Sequence, residues 1–137
     1  MNSAQTWRES NHRRIIMDNG AQTIKCSLAS DSKPHVCLNA VGRNKRTGKT
    51  FIGNKLRDEQ DKGGEHQIAV TYPIIRGLLH DSDLESVIWK QEFARFGKKF
   101  DERVSCLVLT VPPVIPDVVQ ERLAEVVFED FEFDAYS

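Results

Sequence analysis

Hydrophobic and polar positions alternate at the start of the chain and take a longer period towards its end. Arg14-Ile15-Ile16-Met17-Asp18 is a short apolar run that reaches Asn19-Gly20, and Thr23-Ile24-Lys25-Cys26-Ser27-Leu28 then alternates with a two-residue rhythm. Alternation of this kind places one side of a strand in a core and the other towards solvent. Asn-Gly between two such runs predicts a tight hairpin, because both residues tolerate positive φ. Asp31-Ser32-Lys33-Pro34 makes a further turn, and His35-Val36-Cys37-Leu38-Asn39 reads as a third strand. The first forty residues therefore predict a β-meander.

Between Gly42 and Gly64 large apolar residues are sparse, with only Phe51, Ile52 and Leu56 to bury. This predicts a small exposed excursion of weak local stability. Ile68-Ala69-Val70-Thr71-Tyr72 returns to strand character, closed by Pro73 to Gly77. Ser82-Asp83-Leu84-Glu85 fits an S-x-x-E capping box, with Ser82 as cap and Glu85 reaching back to it. Leu84, Ile88, Trp89, Phe93 and Phe96 supply the apolar face of a helix over 83–96, and Gly97 suits its C-terminal side. Ser105 to Thr110 is nearly all apolar and reads as a strand covered on both faces. Pro112-Pro113 breaks the chain, and Pro116 suits the first position of a helix striped by Val119, Leu123, Val126 and Val127. Phe131 to Tyr136 alternates as a final strand, so the C-terminal third predicts a parallel β-α-β crossover. The whole pattern is that of an α/β chain.

Composition narrows the function classes. A formal net charge of −1 over 137 residues argues against binding polyanions by bulk charge. No apolar run approaches the length of a membrane span, and the polar segment 1–13, read as a flexible extension, lacks the apolar stretch of a secretory signal. Cys26, Cys37 and Cys106 are odd in number and widely spaced, which suits small core residues better than zinc ligands. Gly48-Lys49-Thr50 imitates the tail of a P-loop, but five residues separate Gly42 from Gly48 and no helix is expected to follow. Arg43, Lys45, Arg46 and Lys49 read as a solvated basic turn. Trp89, Phe93 and Phe96 read as core, and Asp81 and Asp83 as complements to a helix dipole. Asp18-Asn19-Gly20 differs from these. A turn after an acidic strand end, followed by Lys25, can cradle phosphate with backbone amides while Asp18 holds magnesium through water.

Ile15 to Gly20 with Lys25 resembles the first phosphate loop of actins. Val41-Gly42-Arg43 falls where actins carry the same tripeptide after a third strand, and Tyr72-Pro73-Ile74, Gly77, Ile88-Trp89 and Phe93 resemble the segment that follows. Thr110, Pro113, Pro116 and Phe128-Glu129 before Phe131 repeat the actin strand–loop–helix order. The resemblance covers about Arg14 to Tyr136. It implies the N-terminal part of the actin-like ATPase (ribonuclease H-like) fold, with 14–137 as a partial lobe and 42–67 as a small subdomain-like excursion. The cofactor-binding residues it implies are Asp18, Asn19, Gly20, Ala21, Gln22, Thr23 and Lys25. Ala21 and Gln22 stand where conventional actins have serine and glycine, and Ser27 replaces another glycine.

Lys49-Thr50-Phe51, Asp58 to Asp61, Val108-Leu109-Thr110 and Phe128 to Phe133 resemble the actin-related protein 6 class. That class implies a non-catalytic scaffold in nuclear complexes that exchange a variant histone into nucleosomes. The implied partners are remodelling-complex subunits, with histones contacted indirectly, no sequence-specific nucleic acid and no membrane. A nuclear location follows, with the cytoplasm as an additional one. The second phosphate loop of D-x-G type and the adenosine motif of actins have no counterpart here. ATP with magnesium is therefore expected in a full-length form and good binding by these residues alone is not. The alternative is part of an actin-like ATP-binding cytoskeletal protein.

Overall fold

A computed structural model describes residues 14–97, 101, 105–111 and 113–136. The expected N-terminal extension 1–13 and Pro112 lie outside the described residues. The predicted meander is present as β1 (Arg14–Asn19), β2 (Thr23–Leu28) and β3 (His35–Leu38), paired antiparallel in sequence order. β9 (Cys106–Thr110) lies parallel to β1 on its other side, and β10 (Ala135–Tyr136) lies parallel to β9. The order across this five-stranded sheet is β10-β9-β1-β2-β3.

The period of two decides which side chains the sheet buries. Ile15, Met17, Ile24, Cys26, Leu28, Cys37, Leu107 and Leu109 form its inner face. Two helices cover that face, α2 (Ser82–Ala94) with Ile88, Trp89 and Phe93, and α3 (Asp117–Glu125) with Val119 and Leu123. The predicted apolar stripes are therefore core, as expected for helices packed on one face of a sheet. Each fully buried aliphatic or aromatic side chain of this kind contributes about 1.5–3 kcal/mol. Ile16 and Val36 remain exposed on the outer face, and Val108 is half-buried. β9 is thus not fully covered on both faces. The three cysteines are buried free thiols.

At Asn39 and Ala40 the chain leaves the main sheet. β4 (Val41–Asn44), β5 (Thr50–Ile52) and β6 (Ile68–Thr71) make a separate three-stranded sheet in the order β5-β4-β6. α1 (Asn54–Glu59) lies between β5 and β6 in sequence and sends Leu56 into a small core with Ala40, Phe51 and Ile68. A Cβ on Gly42 would lie 2.3 Å from Leu56 Cδ1 and 2.7 Å from Ile68 Cγ2, so a side chain there would force both neighbours to shift. The basic tripeptide region around Lys45 and Arg46 is the exposed β4–β5 turn, and the Gly48-Lys49-Thr50 run enters a strand rather than a helix.

Several local expectations change. The cap of α2 is Asp81, whose carboxylate accepts from the Leu84 amide at 2.9 Å, and Glu85 is fully buried instead of reaching back to Ser82. Asp81 wins because its side chain, one residue earlier, faces the free amide donors of the first turn. α3 begins one residue after Pro116, which adopts φ −58° and ψ 144° as its cap. The final strand shrinks to two residues. Val126–Asp130 continues α3 as a wider turn, Glu132 takes φ 55°, and Phe131 and Phe133 fold in against Phe93. Aromatic contacts at 5.2 and 5.5 Å override the alternation that suggested a longer strand. The segment after Pro73 forms a short hairpin unforeseen in sequence, β7 (Ile74–Ile75) with β8 (Leu78–Leu79), turned by Arg76 and Gly77 at φ 53° and 79°.

Candidate functional site

The seven residues expected to bind a cofactor lie at the end of β1, in the loop that follows and at the start of β2. Asn19 pairs with Ile24, leaving a loop of Gly20, Ala21, Gln22 and Thr23. This differs from the tight turn that Asn-Gly predicted, since neither residue has positive φ. The extra residues widen the loop, so backbone conformation does not demand the glycine. Space does. The Gly20 amide donates to the Thr23 carbonyl at 3.0 Å, and a Cβ on Gly20 would meet that oxygen at 2.7 Å.

Asp18 and Lys25 occupy opposite positions on β1 and β2, on the exposed outer face of the sheet. Thr110 occupies the position beside Asp18 on β9, and its hydroxyl donates to Asp18 Oδ1 at 2.7 Å. Parallel pairing of β9 with β1 is what brings these residues, 92 apart in sequence, to one edge. An oriented carboxylate, an amine and loop amides thus converge where β1 and β9 end. Among the described residues, the Ala21 and Gln22 amides have no acceptor. Two backbone donors beside a lysine suit an anion. Gln22 is exposed, whereas Ala21 is half-buried and packs against the main core.

Beneath the loop lies a polar network of buried groups. Asn39 donates its Nδ2 to the Gly20 carbonyl at 2.9 Å and to Asn19 Oδ1 at 3.5 Å, while its own amide donates to the Gln22 carbonyl at 2.8 Å. Trp89 Nε1 donates to Asn19 Oδ1 at 3.1 Å. Asn19 therefore faces inward, as a support of the loop. Glu85 faces Asn19, Asn39 and Trp89 from one turn earlier on α2, and burial raises its carboxyl from the ordinary 4.5 to about 7. Sequence reading assigned Trp89 to the core alone and did not single out Asn39. The available signal was polarity at Asn39, within a run that otherwise reads as strand.

A second charged group is structural. Glu92 Oε1 accepts from His35 Nδ1 at 2.7 Å and from Arg95 at 3.0 Å, joining α2 to β3 beside the sheet. Burial pushes the neighbouring Cys26 and Cys37 thiols up to about 12, which leaves both as unreactive packing residues.

Comparison with known proteins converges on one family. A sequence profile described as Actin matches residues 9–137. "Actin-like protein ARP6" of Cryptococcus neoformans is 28% identical over 123 residues, covering 89% of this chain and 24% of that protein. "Actin-related protein 6" of Dictyostelium discoideum is 29% identical over 124 residues, covering 90% of this chain and 25% of its own. "Actin-related protein 2" of Caenorhabditis briggsae is 27% identical over 127 residues, covering 88% and 32% respectively. The chain thus spans about a quarter to a third of the length of these relatives.

Proposed function

The chain belongs to the actin family, and from that premise we propose that it serves as a non-catalytic, protein-binding actin-related subunit. The relatives named actin-related protein 6 favour that class. By its resemblance, the setting is a nuclear chromatin remodelling complex that exchanges a variant histone into nucleosomes. Remodeller subunits are the direct partners, and histones are reached through them.

One observation carries the non-catalytic reading: the loop keeps its anion-facing scaffold while Ala21 turns its methyl to the core. In this reading ATP is a structural ligand. The residues fit the phosphate end of such a ligand, because Lys25 supplies a cation, the loop supplies amides, and Asp18 is held by Thr110. Magnesium, when bound, would neutralise phosphate charge, and Asp18 is the residue to hold it through water. Ala21 offers no hydroxyl to a terminal phosphate. Catalysis of phosphoryl transfer relies on groups positioned around the reacting phosphate, and one hairpin contributes only one side of such a clamp.

The test combines affinity purification of the endogenous protein with calorimetry. Remodeller subunits are expected to co-purify, and ATP to raise the melting point without turnover. Lys25→Ala is expected to weaken ATP binding by roughly 10- to 100-fold, the range of a lost charge-assisted hydrogen bond. Recovery of cytoskeletal proteins with no remodeller subunits would overturn the proposal in favour of an actin-like ATP-binding cytoskeletal protein.

A further inference from the structure

The β4–β5 turn gathers positive charge on an ordered piece of backbone. Arg43, Lys45 and Arg46 are exposed there, and the sequence holds no Asp or Glu between Asp31 and Asp58. Among the described residues no carboxylate pairs with any of the three. Lys49, the fourth cation of the run, rests its ammonium over the Phe51 ring, 5.2 Å from the centroid. The chain as a whole carries a formal charge of −1, so the excess is local to this turn.

Hydrogen bonds fix the backbone that carries these cations. The Asn44 amide donates to the Lys49 carbonyl, and the Gly48 amide to the Asn44 carbonyl, each at 2.8 Å. Asn44 Oδ1 accepts from the Arg46 and Thr47 amides at 2.9 and 3.0 Å, closing the turn from its own side chain. The Lys45 amide donates to the Gln67 carbonyl at 2.7 Å, which ties the turn to the residue before β6. Gly48 takes φ 74°, and a Cβ there would lie 3.6 Å from Arg43 Nη2, so the Arg43 guanidinium lies beside the turn. Ala69, the partner of Arg43 on β6, ends in a methyl, and an open hollow of about 510 Å³ lies among these groups.

We infer that this hollow is a docking surface for an acidic peptide segment of a partner protein. Arg43 and Arg46 supply planar forks of donors that match carboxylates, and Lys45 adds a compact third charge. The Arg46 and Thr47 amides are already engaged by Asn44, so recognition falls to the side chains. A turn held in advance spares the partner the cost of ordering it. Duplex nucleic acid fits less well, because it takes up cations spread along its backbone, whereas here they are confined to one turn. Beyond Arg57 the same excursion also carries Asp58, Glu59 and Asp61. The surface belongs to the smaller sheet, so the inference holds whichever complex the chain joins and whether or not the β1–β2 loop takes a nucleotide.

The test titrates the purified protein into a fluorescein-labelled hexaglutamate peptide and follows anisotropy at about 50 mM salt, where charges are weakly screened. Saturable binding is expected. An exposed ion pair is worth roughly 2- to 5-fold in affinity, so replacing Arg43, Lys45 and Arg46 together by Gln is expected to weaken binding by about 10- to 100-fold. Replacing Lys55, Arg57 and Lys62 by Gln removes the same charge elsewhere and is expected to change affinity by no more than about twofold. Absence of peptide binding overturns the inference, and so does an equal loss in both triple variants, which would indicate bulk charge alone. A duplex of about 20 base pairs that binds more tightly than the peptide, through the same three cations, overturns it in favour of nucleic acid. Carbodiimide coupling of the peptide to the wild-type protein requires no variant to fold. Links mapped by mass spectrometry to Lys45 and Lys49 support the inference, and links spread evenly over the lysines overturn it.

Discussion

Gly20→Ala tests whether the loop is closed by packing rather than by turn conformation. The added Cβ falls 2.7 Å from the Thr23 carbonyl oxygen, the same oxygen that accepts the Gly20 amide at 3.0 Å. Because the obstacle is backbone, it cannot swing aside as the end of a flexible side chain could. The loop must open, losing a bond worth about 1 kcal/mol, and the overpacking costs about 1–3 kcal/mol. Alanine also restricts the unfolded chain, which returns about 0.4–1 kcal/mol. The net expectation is a destabilisation of about 1–3 kcal/mol, read by thermal or urea unfolding as a fall of several degrees or a lower midpoint at unchanged slope. Moving Gly20 also draws its carbonyl from Asn39 Nδ2, now 2.9 Å away, so the Trp89 indole resonance should shift as well. Gln22→Ala, at an exposed loop position, is the control and should stay within about 0.5 kcal/mol of wild type. A Gly20→Ala protein as stable as wild type, with an unmoved indole signal, would show that the close approach to Thr23 does not hold the loop.

The remaining predictions concern the network and the smaller sheet. Glu85 is raised in the folded state, so it opposes stability once ionised: the penalty is absent below about pH 4.5, grows as pH rises, and is complete above about pH 7. Raising a carboxyl from 4.5 to about 7 corresponds to about 3 kcal/mol. Urea unfolding across that range should show wild type losing stability relative to Glu85→Gln by that order, and parallel curves would refute it. Gly42→Ala should strain the small sheet, because its Cβ meets Leu56 Cδ1 and Ile68 Cγ2. A loss of about 1–3 kcal/mol is expected, with faster amide exchange in β4 and β6. Unchanged exchange there would refute the tight packing of β4.

Much of the fold was legible because its signals are local. The two-residue rhythm of Ile15, Met17, Ile24 and Cys26 marks the buried face of β1 and β2, and the spacing of Ile88, Trp89 and Phe93 marks the buried face of α2. The expectation that Asp18 to Thr23 and Lys25 bind a cofactor rests on resemblance alone, since an Asn-Gly pair by itself also marks ordinary hairpins. Local rules failed where a distant partner changed the outcome. Ser82-Asp83-Leu84-Glu85 has the form of a capping box, yet Glu85 faces Asn19 and Asn39, brought there by packing of α2 on the sheet. Asn-Gly at 19–20 suggested positive φ, whereas Asn19 is held by Trp89, 70 residues away, and positive φ occurs at Arg76-Gly77 instead. Phe131 and Phe133 read as a strand until the rings of Trp89 and Phe93 are placed beside them.

The sequence by itself therefore determined the meander, the helical stripes and the point at which β1 turns back into β2, because each depends on neighbours a few positions apart. Only the tertiary structure decided that Thr110 holds Asp18, that Ala21 turns to the core, and that Glu85 lies buried beneath the loop. Those outcomes depend on which surfaces meet, and burial among distant groups, rather than local period, sets whether a side chain caps, packs or titrates.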